Sequence, residues 1–293
     1  MFSRKFKKLL NTPSLFFRDS LINKAPFIYD AYSKLTNKNA NKNTVDLNVT
    51  VVSACYNVAK YLDKYFKSMV HQTIGFKQHI YLIMVDDGSL DETPSIIKKW
   101  AQKYPHNIFY IRQENQGQSV ARNNGLNYVT TPWVTFTDPD DFLEINHFKN
   151  IARCLNKNVQ HDIQFVSTNM IFYYENLNKF VDTHPLKGRF SKGDTVKKTT
   201  ELGSNIILSS SSSLLKTDIL RLNQLKFNGA IKPNFEDGEL LSRYILSIPA
   251  GSVLFCKNAI YYYRKRSDGT STLDGAWADK RHFEDVFTYG YIP

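Results

Sequence analysis

Between residues 47 and 137 short apolar runs alternate with amphipathic segments, and this cadence restricts the fold more than any other feature. The runs are "LNVTVVSAC", "IYLIMV", "NIFYI" and "WVTFT", and the segments between them are "AKYLDKYFKSMVHQ", "DETPSIIKKWAQKY" and "QSVARNNGLNYV". Runs that are apolar throughout, rather than alternating, describe strands covered on both faces. Strand–helix repetition at this spacing implies an α/β protein with a mostly parallel central sheet flanked by helices. In such sheets ligands bind beyond the carboxyl ends of the strands. Polar clusters stand at those ends: "CYN" (Cys55–Asn57), "DDGS" (Asp86–Ser89) and "DPDD" (Asp138–Asp141).

After residue 150 the cadence loosens. "DIQFVSTNMIFYYE", "NKFVDT", "SNIILSSSSSLL", "SVLFC" and "AIYYYRKR" are expected strands of a smaller mixed or antiparallel region, and "NFEDGELLSRYIL" an expected helix. The serines Ser209 to Ser213 lie between apolar residues and are expected to form a strand or pocket wall rather than a linker. The expected organisation is a leader and linker over 1–47, a first half over 48–150 and a second half of the same domain over 151–293.

The leader, "MFSRKFKKLLNTPSLFFRDSLINK", places Phe2, Phe6, Leu9 and Leu10 at helical spacing among Arg4, Lys5, Lys7 and Lys8. A basic amphipathic segment of this kind either lies on an anionic leaflet or packs on its own domain with a solvated face. The formal net charge of +11 also points to a polyanionic or phosphorylated partner. No apolar run reaches 18 residues, which excludes a membrane-spanning helix. Three scattered cysteines, Cys55, Cys154 and Cys256, provide neither a disulfide framework nor a zinc site, and are expected to be buried free thiols in reducing surroundings.

The polar clusters suit particular chemistry. Asp138 and Asp140 form a D-x-D at a strand end, where a divalent cation could bridge carboxylates to a diphosphate. A lone D-x-D is common in solvated turns, so its position carries the inference. In "VDDGSLDET", Gly88 permits a turn, Ser89 and Asp91 are suited to cap the next helix, and one aspartate could accept a hydrogen bond from a base edge. Arg122 on the "QSVARNNGL" helix could meet a phosphate. "FEDGE" sets Glu236, Asp237 and Glu239 at a helix start, where the macrodipole is expected to keep a carboxylate ionised as a base. Arg264, Lys265, Arg266, Thr270, Ser271 and Thr272 supply cations and hydroxyls for phosphate, or a solvated hairpin.

Together these motifs resemble the family 2 inverting glycosyltransferases of the GT-A (Rossmann-like) fold. "VVSACYN", "VDDGSLDET", "ENQGQSVARNNGL", "FTDPDDF" and "FEDGEL" correspond in order to that family's motifs over roughly residues 48–265, and "YYYRKRSDGTST" is similar to the tail of wall-teichoic-acid and capsule glycosyltransferases. The resemblance implies transfer of a hexosyl or N-acetylhexosaminyl group from a nucleotide-diphosphate donor, UDP in the first instance, to a growing bacterial surface glycan or polyol-phosphate acceptor. It implies Asp237 as general base and Asp140 as ligand of Mn2+ or Mg2+. Ala54, Tyr56, Asp87, Asn115, Arg122, Asp138, Pro139, Glu236, Arg266 and Ser271 would contact donor or acceptor, with Asp87 on the uracil. Ala54 stands where the family often has proline, a contact made largely through backbone. The implied location is cytoplasmic, peripheral at the inner membrane face through residues 1–24, in a chain that is part of a longer enzyme. The alternatives are a basic membrane- or nucleic-acid-binding module without catalysis, and a nucleotidyltransferase. The carboxylates at the strand ends and the lack of a basic stripe interleaved with stacking aromatics argue against nucleic acid. The lack of a Gly-rich, basic loop after the first strand argues against the nucleotidyltransferase.

Overall fold

A computed structural model describes residues 45–203, 209–231 and 235–267. The leader over 1–24, and Thr270, Ser271 and Thr272, lie outside the described residues.

The expected cadence appears as β1 (Val49–Cys55), α1 (Ala59–Val70), β2 (Ile80–Asp86), α3 (Thr93–Lys103), β3 (Ile108–Arg112), α4 (Gln118–Leu126) and β4 (Trp133–Phe136), with a single-turn α2 (Phe76–His79) before β2. β1 pairs in parallel with both β2 and β4, and β2 with β3, so these strands lie in the order β3-β2-β1-β4. The pattern follows from burial. Val49, Val51, Val52 and Cys55 of β1 are all fully buried, because α1 and α3 cover one face and α4 the other. α1 packs Tyr61, Leu62, Tyr65, Phe66 and Met69 on the sheet, the stripe expected of an amphipathic helix.

Beyond β4 the sheet continues through β9 (Ser213–Lys216), β6 (Ile163–Tyr174), β10 (Ser252–Lys265) and β5 (Phe142–Leu143), with β7 (Lys179–Val181) and β8 (Thr195–Lys198) on its margins. β9 is antiparallel to β4 and to β6, whereas β6 and β10 run parallel. One sheet therefore crosses residue 150, where the two halves are expected to divide. The serine run forms a buried 3-10 turn, Ser210–Ser212, and then enters β9. "SVLFC" and "AIYYYRKR" belong to one strand, interrupted by a register shift between Cys256 and Ile260. The shift is tied down at Lys257, whose amide donates to Asp194, and at Asn258, whose carbonyl accepts from Asn150. α5 (His147–Lys157) was not anticipated; it buries His147, Phe148, Ile151, Cys154 and Leu155 against β10. α6 (Thr217–Leu222) and α7 (Glu236–Leu246) complete the described elements.

All three cysteines are free and buried. They are less scattered than their spacing implies, since Cys154 of α5 and Cys256 of β10 meet beside Asp194, with the Cys154 thiol 3.3 Å from its carboxylate. Among the described residues no helix is long and apolar enough to cross a membrane.

Candidate active site

Each residue of "ARNNG" on α4 has a distinct task. Gly125 lies against the sheet: a Cβ there would stand 2.5 Å from Val52 Cγ1 and 3.1 Å from Val85 Cγ2. Asn124 donates to Gln113 (2.7 Å), which donates to Asp87 (2.8 Å). Asn123 pairs with the backbone of Phe227, donating to its carbonyl and accepting from its amide at 2.8 Å each. That seats the Phe227 ring under the Arg122 guanidinium, 5.2 Å from its centroid.

Arg122 is the centre of the site. Its side chain is only 4% exposed, yet Nη2 donates to Asp138 at 2.8 Å while Nη1 donates to Glu236 at 3.1 Å and Asp237 at 3.0 Å. Residues 16, 114 and 115 positions away in sequence thus converge on one cation. Burial alone would lower the Arg122 pKa, but the three carboxylates outweigh it and hold the guanidinium charged. Gln118, on the first turn of α4, also donates to Glu236.

Asp237 begins α7 beside Glu236. Its Oδ2 accepts from the Ser210 amide at 2.9 Å, and its Oδ1 from Arg122. The serine turn is therefore the wall that aims this carboxylate. α7 itself is anchored by Tyr244, whose hydroxyl accepts from the Lys216 amide and donates to the Gln164 carbonyl. To the helix start expected to favour the ionised form of Asp237, the structure adds burial. Burial raises its pKa, Arg122 opposes that, and Glu236 and Asp138 reinforce it, with a net upward direction. The side chain keeps 20% exposure, so substrate and water still reach it.

The "DPDD" loop distributes its aspartates among different partners. Beneath it, the hydroxyls of Ser53, Tyr65 and Thr137 form a buried triangle with sides of 2.6, 2.8 and 2.9 Å, which fixes the residue before Asp138. Asp138 faces Arg122 with 37% of its side chain exposed, and Pro139 is buried. Asp140 Oδ2 is gripped by Arg266 through Nε (2.8 Å) and Nη2 (2.6 Å). Asp141 is 1% exposed and accepts from the Tyr261 hydroxyl at 2.5 Å and the Arg264 amide at 2.7 Å. Burial, then the charges of Asp140 and Asp138, push its pKa well above the ordinary carboxylate range.

Asp138 and Asp140 are the candidate seat for a divalent cation. Asp140 has a raised pKa, first through burial and next through the Asp138 charge, against the opposing pull of Arg266. A loop that crowds two partly exposed carboxylates and already draws one guanidinium has a demand for positive charge. Hard oxygen donors suit magnesium or manganese, which are commonly held by one or two carboxylates with waters and phosphate oxygens completing the shell. The residues fit such an ion.

The remaining expected positions divide into rim and frame. Ala54 and Tyr56 stand at the end of β1, with Tyr56 48% exposed, and Asn115 is exposed on the loop before α4. Both aspartates of "DDGS" are tied down. Asp86, fully buried, accepts from the Ser89 amide, Tyr110 and Arg112. Asp87 Oδ1 accepts from Gln113 and the Gln116 amide, and Oδ2 from the Gly117 amide at 2.8 Å. Gly88, at φ +80°, makes the turn. The capping expectation holds for Asp91, which accepts from the amides of Thr93 and Ala59 and so joins the starts of α3 and α1, but not for Ser89, which accepts from the Asn57 amide instead. Arg264, expected at phosphate, is instead buried behind the loop, with its Nε donating to the Asp140 carbonyl. Residues absent from the expectation are Gln118 and Glu175, whereas Ser210 lies in the serine run expected as a strand or pocket wall. Glu and Gln at surface-type positions carry no sequence signal of such contacts, whereas the serine run does.

Residues 50–220 match the family model described as glycosyl transferase family 2. The chain belongs to that family. Among curated family 2 relatives, the minor teichoic acid biosynthesis proteins GgaB and GgaA of Bacillus subtilis are 33% and 30% identical, each over 83% of this chain. The chain spans 26% of GgaB and 53% of GgaA, so it covers only part of the relatives it matches. Among solved structures, S. aureus TarS 1-349 in complex with UDP-GlcNAc is similar with a TM-score of 0.65 at 22% identity, over 81% of this chain and 64% of that one. A mannosyltransferase from Pyrobaculum calidifontis, in complex with GDP-Man and Mn2+, has a TM-score of 0.57 at 17% identity, over 94% of this chain and 75% of that one. Both likenesses are of fold, and the GT-A α/β architecture is shared.

Proposed function

We propose that the chain is a cation-assisted inverting glycosyltransferase, moving a sugar from a UDP-type donor to a growing bacterial surface glycan or polyol-phosphate acceptor. The observation that carries this is the placement of Asp237: a carboxylate of raised pKa, 20% exposed, fixed on one oxygen by Ser210 and on the other by Arg122. A base whose pKa is shifted toward the operating pH accepts a proton more readily in the transition state. Asp237 takes the proton of the acceptor hydroxyl, and that oxygen attacks the anomeric carbon from the side opposite the diphosphate, which inverts the centre. Arg122 keeps Asp237 aimed and holds Asp138 within the same cluster. Asp87, whose Oδ2 receives one amide, has acceptor capacity left for the uracil edge, with Ala54, Tyr56 and Asn115 as the rim. Asp140, with Asp138 beside it, would hold Mn2+ or Mg2+. Such an ion, when bound, supplies positive charge to the departing diphosphate. Arg266 stands at that same side and would meet the phosphates, with Ser271 following it in sequence.

The donor class is supported by relatives bearing teichoic acid names and by UDP-GlcNAc in the TarS complex. A cytoplasmic enzyme at the inner leaflet is the corresponding location, with the basic leader over 1–24 as the contact; its deletion should lower binding to anionic vesicles. The decisive experiment is a panel of nucleotide sugars with Mn2+, read by thermal shift and by release of nucleotide. One or two UDP-sugars should raise the melting temperature and be hydrolysed slowly without acceptor. A flat panel would refute the assignment.

A further inference from the structure

Glu175 opens the 3-10 turn that follows β6, far in sequence from every motif of the site. Its Oε1 accepts from Arg264 Nη1 at 2.9 Å, and its Oε2 accepts from both the amide and the hydroxyl of Ser267 at 3.2 Å. Lys60 of α1 approaches Oε2 at 3.6 Å. Arg264 is 5% exposed and lies among the rings of Tyr61, Phe142 and Tyr173. Its Nε donates to the Asp140 carbonyl at 2.5 Å and its own amide to Asp141 at 2.7 Å. Two residues later, Arg266 grips the Asp140 carboxylate itself.

Glu175 therefore holds two pieces of chain at once. Through Arg264 it bears on the backbone of the aspartate loop, and through Ser267 it fixes the chain just past Arg266. A guanidinium buried this deeply is costly unless a carboxylate matches it, and Glu175 supplies that charge. Asp140 and Arg266 meet only while both pieces are in place.

We propose that Glu175 is a positioning residue for the donor: it sets Asp140 and Arg266 in one arrangement so that both face the diphosphate. This rests on the reading of the site as a nucleotide-sugar site. Glutamine at 175 keeps the shape, but its amide group can satisfy one arm only, since its nitrogen would meet a donor at the other.

The test is calorimetry of UDP against the whole chain, with Mn2+ and separately with EDTA. In E175Q, UDP affinity with Mn2+ should fall about tenfold, the scale of a lost charge-assisted contact, and the affinity in EDTA should fall less, because only the Arg266 contact is then at stake. E175D, which keeps the charge, should recover part of the loss. S267A, at an exposed position, should lose about twofold, as fits one neutral hydrogen bond. Should E175Q melt far below wild type, E175D and S267A decide by the same readout. Equal Mn2+-dependent affinity in wild type and variants would overturn the proposal. So would equal losses with and without Mn2+, which indicate a purely structural contact. If wild type itself binds no UDP with Mn2+, the nucleotide-sugar reading falls, and this role falls with it.

Discussion

The two arginine-centred clusters on either side of "DPDD" use the same residue types to opposite effect. Around Arg122, three carboxylates face one guanidinium, and two of them, Asp138 and Asp237, remain 37% and 20% exposed. Behind the loop, Arg266 meets Asp140, Arg264 and Lys60 meet Glu175, and Asp141 takes only neutral donors among the contacts described. The first cluster carries an excess of negative charge near solvent, which suits proton abstraction. In the second, Asp140 and Glu175 are each matched by an arginine, which suits holding the loop in one arrangement. A carboxylate's chemistry here depends on the ratio of cations around it, not on its motif.

The sharpest way to break this contrast is Asp237→Asn. Turnover should fall about 1000-fold, within the range for loss of a general base, with UDP affinity nearly unchanged. Undiminished turnover would remove the base from the first cluster. Asp140→Ala should weaken Mn2+-dependent UDP binding on the order of 100-fold, several kcal/mol of charge stabilisation, as measured by calorimetry. Arg122→Gln strands buried Glu236 without its cation and should destabilise the fold by about 3 kcal/mol in urea unfolding, besides abolishing turnover. In wild type, turnover should decline tenfold per pH unit below the Asp237 pKa. Because that pKa is raised in the folded protein, the acid limb should begin above the ordinary aspartate value of 3.8. Asp141→Asn should be the mildest change, costing about 1 kcal/mol with turnover retained. Its Oδ1 can still accept from the Arg264 amide, so one of its two described contacts survives the change. A large loss of turnover there would erase the distinction between the clusters.

The parallel strands were legible because two helix layers cover them, so most positions of "VTVVSAC" and "IYLIMV" are buried and apolar. β8, "TVKK", is half-covered and carries no such signature, and the two residues of β5 are too few for any period. α5 is not legible because its buried stripe, His147, Phe148, Ile151, Cys154 and Leu155, straddles residue 150, after which the cadence loosens. In the site, residue types at strand ends could be read, but the Arg122–Asp237 contact joins residues 115 apart and no local pattern encodes it. The burial of Asp237 could not be read from the helix start alone. In the folded chain burial is the largest cause of its raised pKa. Two adjacent aspartates at "DDGS" suggested ligand chemistry, yet Asp86 is wholly engaged in bracing β2 against β3.

Gly125 has a consequence for how such an enzyme can vary. With Val52 only 2.5 Å from where its Cβ would sit, α4 rests on the sheet with nothing between. The missing methyl works as a depth stop for a lever whose working end is Arg122, three residues away. An alanine there would collide with Val52, so either the helix that carries Arg122 or the strand beneath it would have to shift.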